Sequence, residues 1–198
     1  MGVSSQAISD AVVEGAKEGG HEIRRRSLYT ENYAPQLTAA ERGAYFDVAK
    51  GAARLAKDTQ SHLKDLRWCD SLVLVYPTWW FNVPAILKGY FDRTLAPGHD
   101  CAWDFPSSAN DPDAASNGLV PRLTNVKRMC GISTYGASRS IAFLAGDNGR
   151  NMIGTAIRPN FSPDCTCRWL ALYDMDFTPK AAREVFLEEV KRVIRDDL

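Results

Sequence analysis

Two short stretches carry residues able to do chemistry. The first is Pro77-Thr78-Trp79-Trp80-Phe81-Asn82, directly after the apolar run Ser71–Tyr76. Three adjacent aromatics at such a turn offer flat apolar faces beside main-chain N–H groups. A planar conjugated ring with a polar edge suits that mixture, because rings stack and amides bond the edge. The second stretch is Thr134-Tyr135-Gly136, after the apolar run Val126–Ser133. It adds a hydroxyl, another aromatic and a residue that lets backbone approach a ligand closely. The competing reading of both is core plugging or a dimer contact, which aromatic clusters commonly serve. Of the histidines, His21 reads as a surface residue and His62 as solvated on a polar helix, while His99 lies within reach of a pocket near Trp103 and Phe105. Arg139 stands near the second stretch and reads either as a phosphate contact or as a surface ion pair.

The remaining chemistry is narrow. Five cysteines, Cys69, Cys101, Cys130, Cys165 and Cys167, are odd in number and irregular in spacing, so no disulfide framework is expected. Cys165 and Cys167 lack a second pair or a histidine to complete a zinc set, so no metal site is expected and the thiols read as inert in a reducing cytoplasm. Gly131 and Gly136 frame no G-x-G-x-x-G pattern, which argues against a separate dinucleotide fingerprint. Lys+Arg and Asp+Glu both number 24, giving a formal charge of zero and no basic footprint for nucleic acid or an anionic membrane. No apolar run reaches the roughly 18 residues of a membrane span, and the start Met-Gly-Val-Ser-Ser does not read as a secretory leader.

The elements that must position these residues alternate. A helix is expected over Ser5–Glu18, stopped by Gly19-Gly20, then a short strand over His21–Leu28. Thr38-Ala39-Ala40-Glu41 has the form of a capping box and opens a short helix. A longer helix is expected over Gly51–Trp68 and a strand buried on both faces over Ser71–Tyr76. A helix opening near Pro84 runs to about Leu95. Residues 96–125 form a long Pro/Gly/Asp/Asn/Ser-rich excursion. Val126–Ser133 and Cys167–Tyr173 read as strands, with helical pieces near 139–145 and 149–157 between them. Thr178-Pro179 opens a final helix whose Val185, Phe186, Val190, Val193 and Ile194 form an apolar stripe. At 198 residues this is one domain of α/β class, a doubly wound parallel sheet with helices on both faces. Such sheets bind ligands beyond the carboxyl ends of their strands, which is where both chemical stretches fall.

The stretch YPTWWFNVPAILKGYFDR closely resembles the strand–loop–helix of the NAD(P)H:quinone oxidoreductases with a flavodoxin-like fold. ISTYGASR is similar to that family's second flavin loop, and CRWLALYDM to its last strand. The resemblance covers most of the chain, from about Val3 to Ile194. It implies a flavoprotein holding FMN or FAD non-covalently, reduced by NADH or NADPH and reoxidised by a quinone in a ping-pong cycle. It implies a homodimer whose active site lies at the subunit interface, with Trp103, Phe105 and residues 106–122 contributing from the partner. Pro77, Thr78, Trp79, Trp80, Phe81 and Asn82 match the loop that holds the isoalloxazine. Thr134, Tyr135 and Gly136 match the loop on its pyrimidine side, and Ser4 and Ser5 the tail of the phosphate-binding loop. Alternatives are a redox-sensing subunit of a potassium-efflux type transporter, or an inactive truncated remnant.

Two departures accompany the resemblance. A tyrosine and a histidine that assist hydride transfer in animal members fall at Ile141 and Asp147, so no catalytic residue is assigned. The family's first strand, which lies between the second and third, has no counterpart: the sequence opens on a helix. A start downstream of the full-length protein's, or a truncation that retains flavin weakly, is the expectation, with two strand edges left unpaired.

Overall fold

The computed structural model describes residues 5–108, 111–113, 115 and 118–198. Helix α1 spans Ser5–Glu18, as its apolar spacing predicts. The residues that follow, 21–27, take no regular secondary structure and pair with no strand among the described residues, so the strand expected over His21–Leu28 does not form. A strand exists only through a ladder partner, and none is present beside this segment. Ion pairs hold it instead: Arg24 Nη1 and Arg26 Nε reach the carboxylate of Asp65 at 3.0 and 2.6 Å.

Helix α2, Ala39–Ala44, carries the expected reciprocal cap, with Thr38 and Glu41 each bonding the other's backbone amide. The helix expected over Gly51–Trp68 divides. Residues 48–54 form 3₁₀ turns broken at Gly51, whose φ is 53°, and α3 covers only Lys57–Trp68. Strand β1 is Ser71–Pro77, followed by α4, Ala85–Thr94. The excursion contains a two-residue antiparallel ribbon, β2 (Trp103–Asp104) with β3 (Val120–Pro121). Strand β4 is Arg128–Thr134. Helices α5 (Arg139–Leu144) and α6 (Asn148–Asn151) precede β5, Thr166–Leu172, and α7, Lys180–Asp197, ends the chain.

The main sheet is parallel, in the order β1-β4-β5, with Leu74 opposite Gly131 and Gly131 opposite Trp169. Alternation divides the side chains between two cores. Leu74, Met129 and Trp169 face α3 and α4, packing with Leu63, Leu66, Leu87 and Phe91. Val75, Ile132 and Leu170 face α1 and α7, packing with Ile8, Val12, Phe186, Val190 and Val193. Helices therefore cover both faces. Gly131 is required by packing: a Cβ there would lie 2.3 Å from the Trp169 ring. β1 is not fully buried as expected. Only Leu74 and Tyr76 are, because β1 is an edge strand among the described residues, whereas six residues of the central β4 are buried. Val185 belongs to no core and is exposed, although the rest of its stripe is buried. Among the described residues no helix is long and apolar enough to cross a membrane.

One polar cluster lies inside this frame. Arg93 on α4 is buried, yet its guanidinium bonds Glu41 at 2.8 and 3.0 Å, Asp58 at 2.8 and 3.0 Å and the Ala34 carbonyl at 2.6 Å. It also lies 4.9 Å from the Tyr33 ring centroid. His62, expected to be solvated, is buried between the Tyr33 and Tyr90 rings with Glu31 at 3.2 Å, and burial pushes its pKa down. Burial alone would raise the carboxyl pKa values of Glu41 and Asp58. Hydrogen bonds outweigh it, from the Thr38 amide and Arg93 to Glu41 and from Arg93 and the Thr59 amide to Asp58, and hold both below the ordinary range. A depressed folded-state pKa adds stability above the unfolded value of about 4, lost as pH falls through the folded one. Arg93→Met is expected to lower the unfolding free energy by about 1–3 kcal/mol at neutral pH, since it takes the donor from the partly buried Glu41 carboxylate and the Ala34 carbonyl, while the Asp58 carboxylate keeps access to solvent. It should also flatten or reverse the loss of stability below about pH 5. Urea denaturation at pH 7 and pH 4 measures both; an acid dependence equal to that of the native chain would remove this cluster as its source.

Candidate cofactor-binding site

The carboxyl ends of β1 and β4 lie side by side, with Pro77 in register with Thr134. One further bond, Thr78 N–H to the Thr134 carbonyl at 2.9 Å, carries the pairing beyond the strands. The Thr78 hydroxyl meets that of Ser133 at 2.8 Å, and Ser133 Oγ donates to the Tyr76 carbonyl at 3.0 Å. The two chemical stretches are thus joined at their roots. Beyond them, Thr78, Trp79, Trp80, Phe81, Tyr135, Gly136 and Ala137 line an open cleft of about 230 Å³.

The first wall is a tight turn. Trp79 and Asn82 exchange backbone hydrogen bonds of 3.0 and 2.9 Å, and the residues between them, Trp80 and Phe81, have φ values of 49° and 58°. Left-handed backbone at two successive non-glycine residues is the pattern of a type I′ turn, which Gly and Asn ordinarily occupy. Each such residue costs roughly 1–2 kcal/mol. The aromatics gain little burial in return: Trp79 is 62% and Trp80 92% exposed. Core plugging therefore does not explain them. The Trp80 and Phe81 amides bond no acceptor among the described residues.

The second wall is built differently. Tyr135 is only 2% exposed; its N–H donates to the Leu172 carbonyl, and its carbonyl accepts from the Met175 amide. Its phenol donates to Asp147 Oδ1 at 2.6 Å, and its ring stacks on Tyr173 at 4.7 Å. Burial, with the Asp147 carboxylate behind it, drives the Tyr135 pKa upward, so the phenol keeps its proton. Tyr135 is a wall, and the free amides beside it belong to Gly136 and Ala137, which bond no acceptor among the described residues.

Of the residues expected from sequence, Thr78, Trp79, Trp80, Phe81, Tyr135 and Gly136 meet at the cleft. Pro77, Asn82 and Thr134 support it: Pro77 ends β1, Thr134 supplies the linking carbonyl, and Asn82 turns its Oδ1 onto the Val83 amide at 2.8 Å. Ser5 opens α1 and is not among the lining residues. Ser4, and residues 109, 110, 114, 116 and 117 of the segment expected to reach a partner subunit, lie outside the described residues. Ile141 is half exposed on α5, and Asp147 is committed to Tyr135. His99 is exposed, its Nδ1 4.0 Å from the Asp100 carboxylate, and lines no part of the cleft. Sequence reasoning missed Ala137, Asp147 and Tyr173. Tyr173 was accessible in principle, since it directly follows β5 and the ends of neighbouring parallel strands meet on one rim.

A flat ring system fits these walls. The volume is below the roughly 300–1,000 Å³ of pockets that enclose a drug-sized ligand, so a ring would lie against the cleft rather than be engulfed. Exposed indole faces supply stacking surface and four unbonded amides can meet a polar edge.

The chain is 29% identical over 202 residues to NAD(P)H dehydrogenase (quinone) 1 of Rattus norvegicus, a match covering 94% of this chain and 69% of that protein. It is 44% identical over 112 residues to the human ribosyldihydronicotinamide dehydrogenase (quinone), spanning 50% of this chain and 48% of that protein. Among solved structures, an NAD(P)H:quinone oxidoreductase from Methanothermobacter marburgensis superposes with a TM-score of 0.76 at 21% identity, covering 97% of this chain and 90% of that one, and shares the fold. A family model described as the flavodoxin-like fold matches residues 2–154, and the chain belongs to that family.

Proposed function

We propose that this protein is a flavin-dependent NAD(P)H:quinone oxidoreductase. The observation that carries the reading is the cleft, in which Trp79 and Trp80 stand exposed on a strained turn opposite Gly136 and Ala137. Backbone strain kept at a ligand rim is a mark of function rather than of stability. The quinone dehydrogenases named above support the assignment of the reaction.

In this reading residues 77–82 would hold the ring of a non-covalently bound FMN or FAD, and the unbonded amides among residues 134–137 would be available to its polar atoms. A flavin held there would supply two-electron chemistry, between the hydride of NADH or NADPH and a quinone that gains two electrons and two protons to become a hydroquinone. The chain's own contribution is binding and orientation. The indole faces fix the ring plane, the unbonded amides recognise the edge, and buried Tyr135 closes the inner end against water. Ser4 and Ser5 would serve the phosphate end. No side chain of the cleft is assigned as a proton donor.

A homodimer is the assembly that goes with this reading. Its support is an uncovered aromatic surface away from the cleft, where Phe46 and Phe105 are exposed with ring centroids 6.2 Å apart and Trp103 adjoins Phe105 at 5.1 Å. The five free thiols support a reducing cytoplasm.

Reconstitution with FMN and with FAD, followed by NADPH and NADH oxidation with menadione as acceptor, tests the activity. Turnover with either flavin is expected, and a chain that retains neither flavin would overturn the reading. Trp80→Ala should weaken flavin affinity by about 1–3 kcal/mol through lost stacking. Trp80→Gly should be more stable to urea than Trp80→Ala by about 1 kcal/mol, reversing the usual order of these residues, because only glycine meets φ near 49° without strain. Equal stability would mean that the turn is not strained.

A further inference from the structure

The two walls of the cleft come from loops that follow different strands, yet one short segment touches both. On the Tyr135 side, Asp147 Oδ1 accepts the phenol proton at 2.6 Å, within the buried layer that also holds the Tyr135–Tyr173 stack. On the Trp80 side, the Gly149 amide donates to the Phe81 carbonyl at 3.1 Å. Gly149 is pressed against that wall: a Cβ there would lie 3.2 Å from the Asn82 carbonyl carbon, the Val83 nitrogen and Tyr76 Oη. The segment is itself set by backbone. The Asp147 amide bonds the Ala142 carbonyl at 2.9 Å, and Asp147 adopts φ 41°, which turns the chain from α5 into α6.

From this geometry we infer that residues 147–149 form a bracket that fixes the spacing of the two cleft walls, with Asp147 and Gly149 as positioning residues for the ring bound between them. Three features favour this over a loop that merely packs. Asp147 is a buried polar residue in left-handed backbone, where glycine would be unstrained but would bring no acceptor for the Tyr135 phenol. Its bond is made to a side chain whose backbone N–H and carbonyl are both already committed, so the phenol is the remaining handle on that wall. Two residues later the same strand of backbone grips the carbonyl at the centre of the strained turn, so movement of either wall is felt by the other. The ligand half of the inference rests on the flavin reading above; the structural half does not.

The test uses the full chain, first without cofactor. Amide hydrogen exchange at Gly149 is expected to rise by about tenfold in both Tyr135→Phe and Asp147→Gly, the size of effect one lost buried hydrogen bond produces, while α1 and α7 amides stay unchanged. Asp147→Asn, which keeps an acceptor and suits the positive φ, should stay within about threefold of the native chain. Titration with FMN and with FAD should then show Tyr135→Phe and Asp147→Gly binding about tenfold more weakly, with Asp147→Asn close to native. Native exchange at Gly149 in both Tyr135→Phe and Asp147→Gly would overturn the bracket, as would Asp147→Asn behaving like Asp147→Gly. Faster exchange with unaltered flavin affinity would overturn the positioning role. If the native chain binds neither flavin while exchange follows the expected order, the bracket stands and the proposed activity is lost. Should Asp147→Gly fail to fold, Gly149→Ala, whose Cβ would press at 3.2 Å on the Asn82–Val83 backbone and Tyr76 Oη and shift that wall by a few tenths of an ångström, replaces it, with weaker flavin binding expected.

Discussion

The parallel register of β1 against β4 is the constraint on which this protein rests. With Pro77 opposite Thr134, both chemical loops leave the sheet at the same height, and the Thr78–Thr134 bond holds them together for one residue more. A slip of one residue would exchange the two faces of β1. Leu74 and Tyr76 would leave the core shared with α3 and α4, and the aromatic turn would lose its partner wall. Packing enforces the register from the far side of β4, where the Trp169 ring occupies the space that a side chain at Gly131 would fill.

Edges are managed differently at the two sides of the sheet. β1 is an edge strand among the described residues; residues 21–27 add no ladder, and Arg24 and Arg26 secure them to Asp65 on α3. Exposed pairs of this kind contribute little individually. The stronger attachment lies further along, where buried Arg93 ties the Ala34 carbonyl, Glu41 and Asp58 to α4. A buried cation with several hydrogen-bonded partners is costly to break, because each partner is then left uncompensated. The segment between α1 and α3 is thus fastened mainly by side chains.

The cleft inverts the usual relation of aromatics to burial. Buried Tyr135 stacks on the partly buried Tyr173, while Trp79 and Trp80 stand exposed at a turn whose strained positions are Trp80 and Phe81. Stability by itself would place glycine or asparagine at Trp80 and Phe81. Their retention at that cost fits a wall shaped for a ligand, and Asp147, also at positive φ, repeats the pattern behind the opposite wall.

Much of this was legible in the residues themselves. Local rules sufficed for α1, for the Thr38–Glu41 capping box, for the strands near 71–77, 128–134 and 166–172, and for both loops as neighbours on one rim, because periodicity, caps and the carboxyl-end rule act over short spans. The failures share a cause. Residues 21–28 alternate like a strand, but a strand is a property of a pair. His62 sits on a helix that reads as polar, and only the arrival of Tyr33 and Tyr90 from elsewhere buries it. The helix expected over Gly51–Trp68 breaks at Leu55 and Ala56, good helix formers that nonetheless take extended ψ values of 150° and 152°. The bond from Tyr135 to Asp147 and the positive φ of Trp80 carry no sequence signal, since both are settled where separate loops meet. Sequence determined which surfaces are apolar and where the chain turns; tertiary structure decided which polar groups those surfaces enclose, because burial and hydrogen-bond partners belong to the assembled layers.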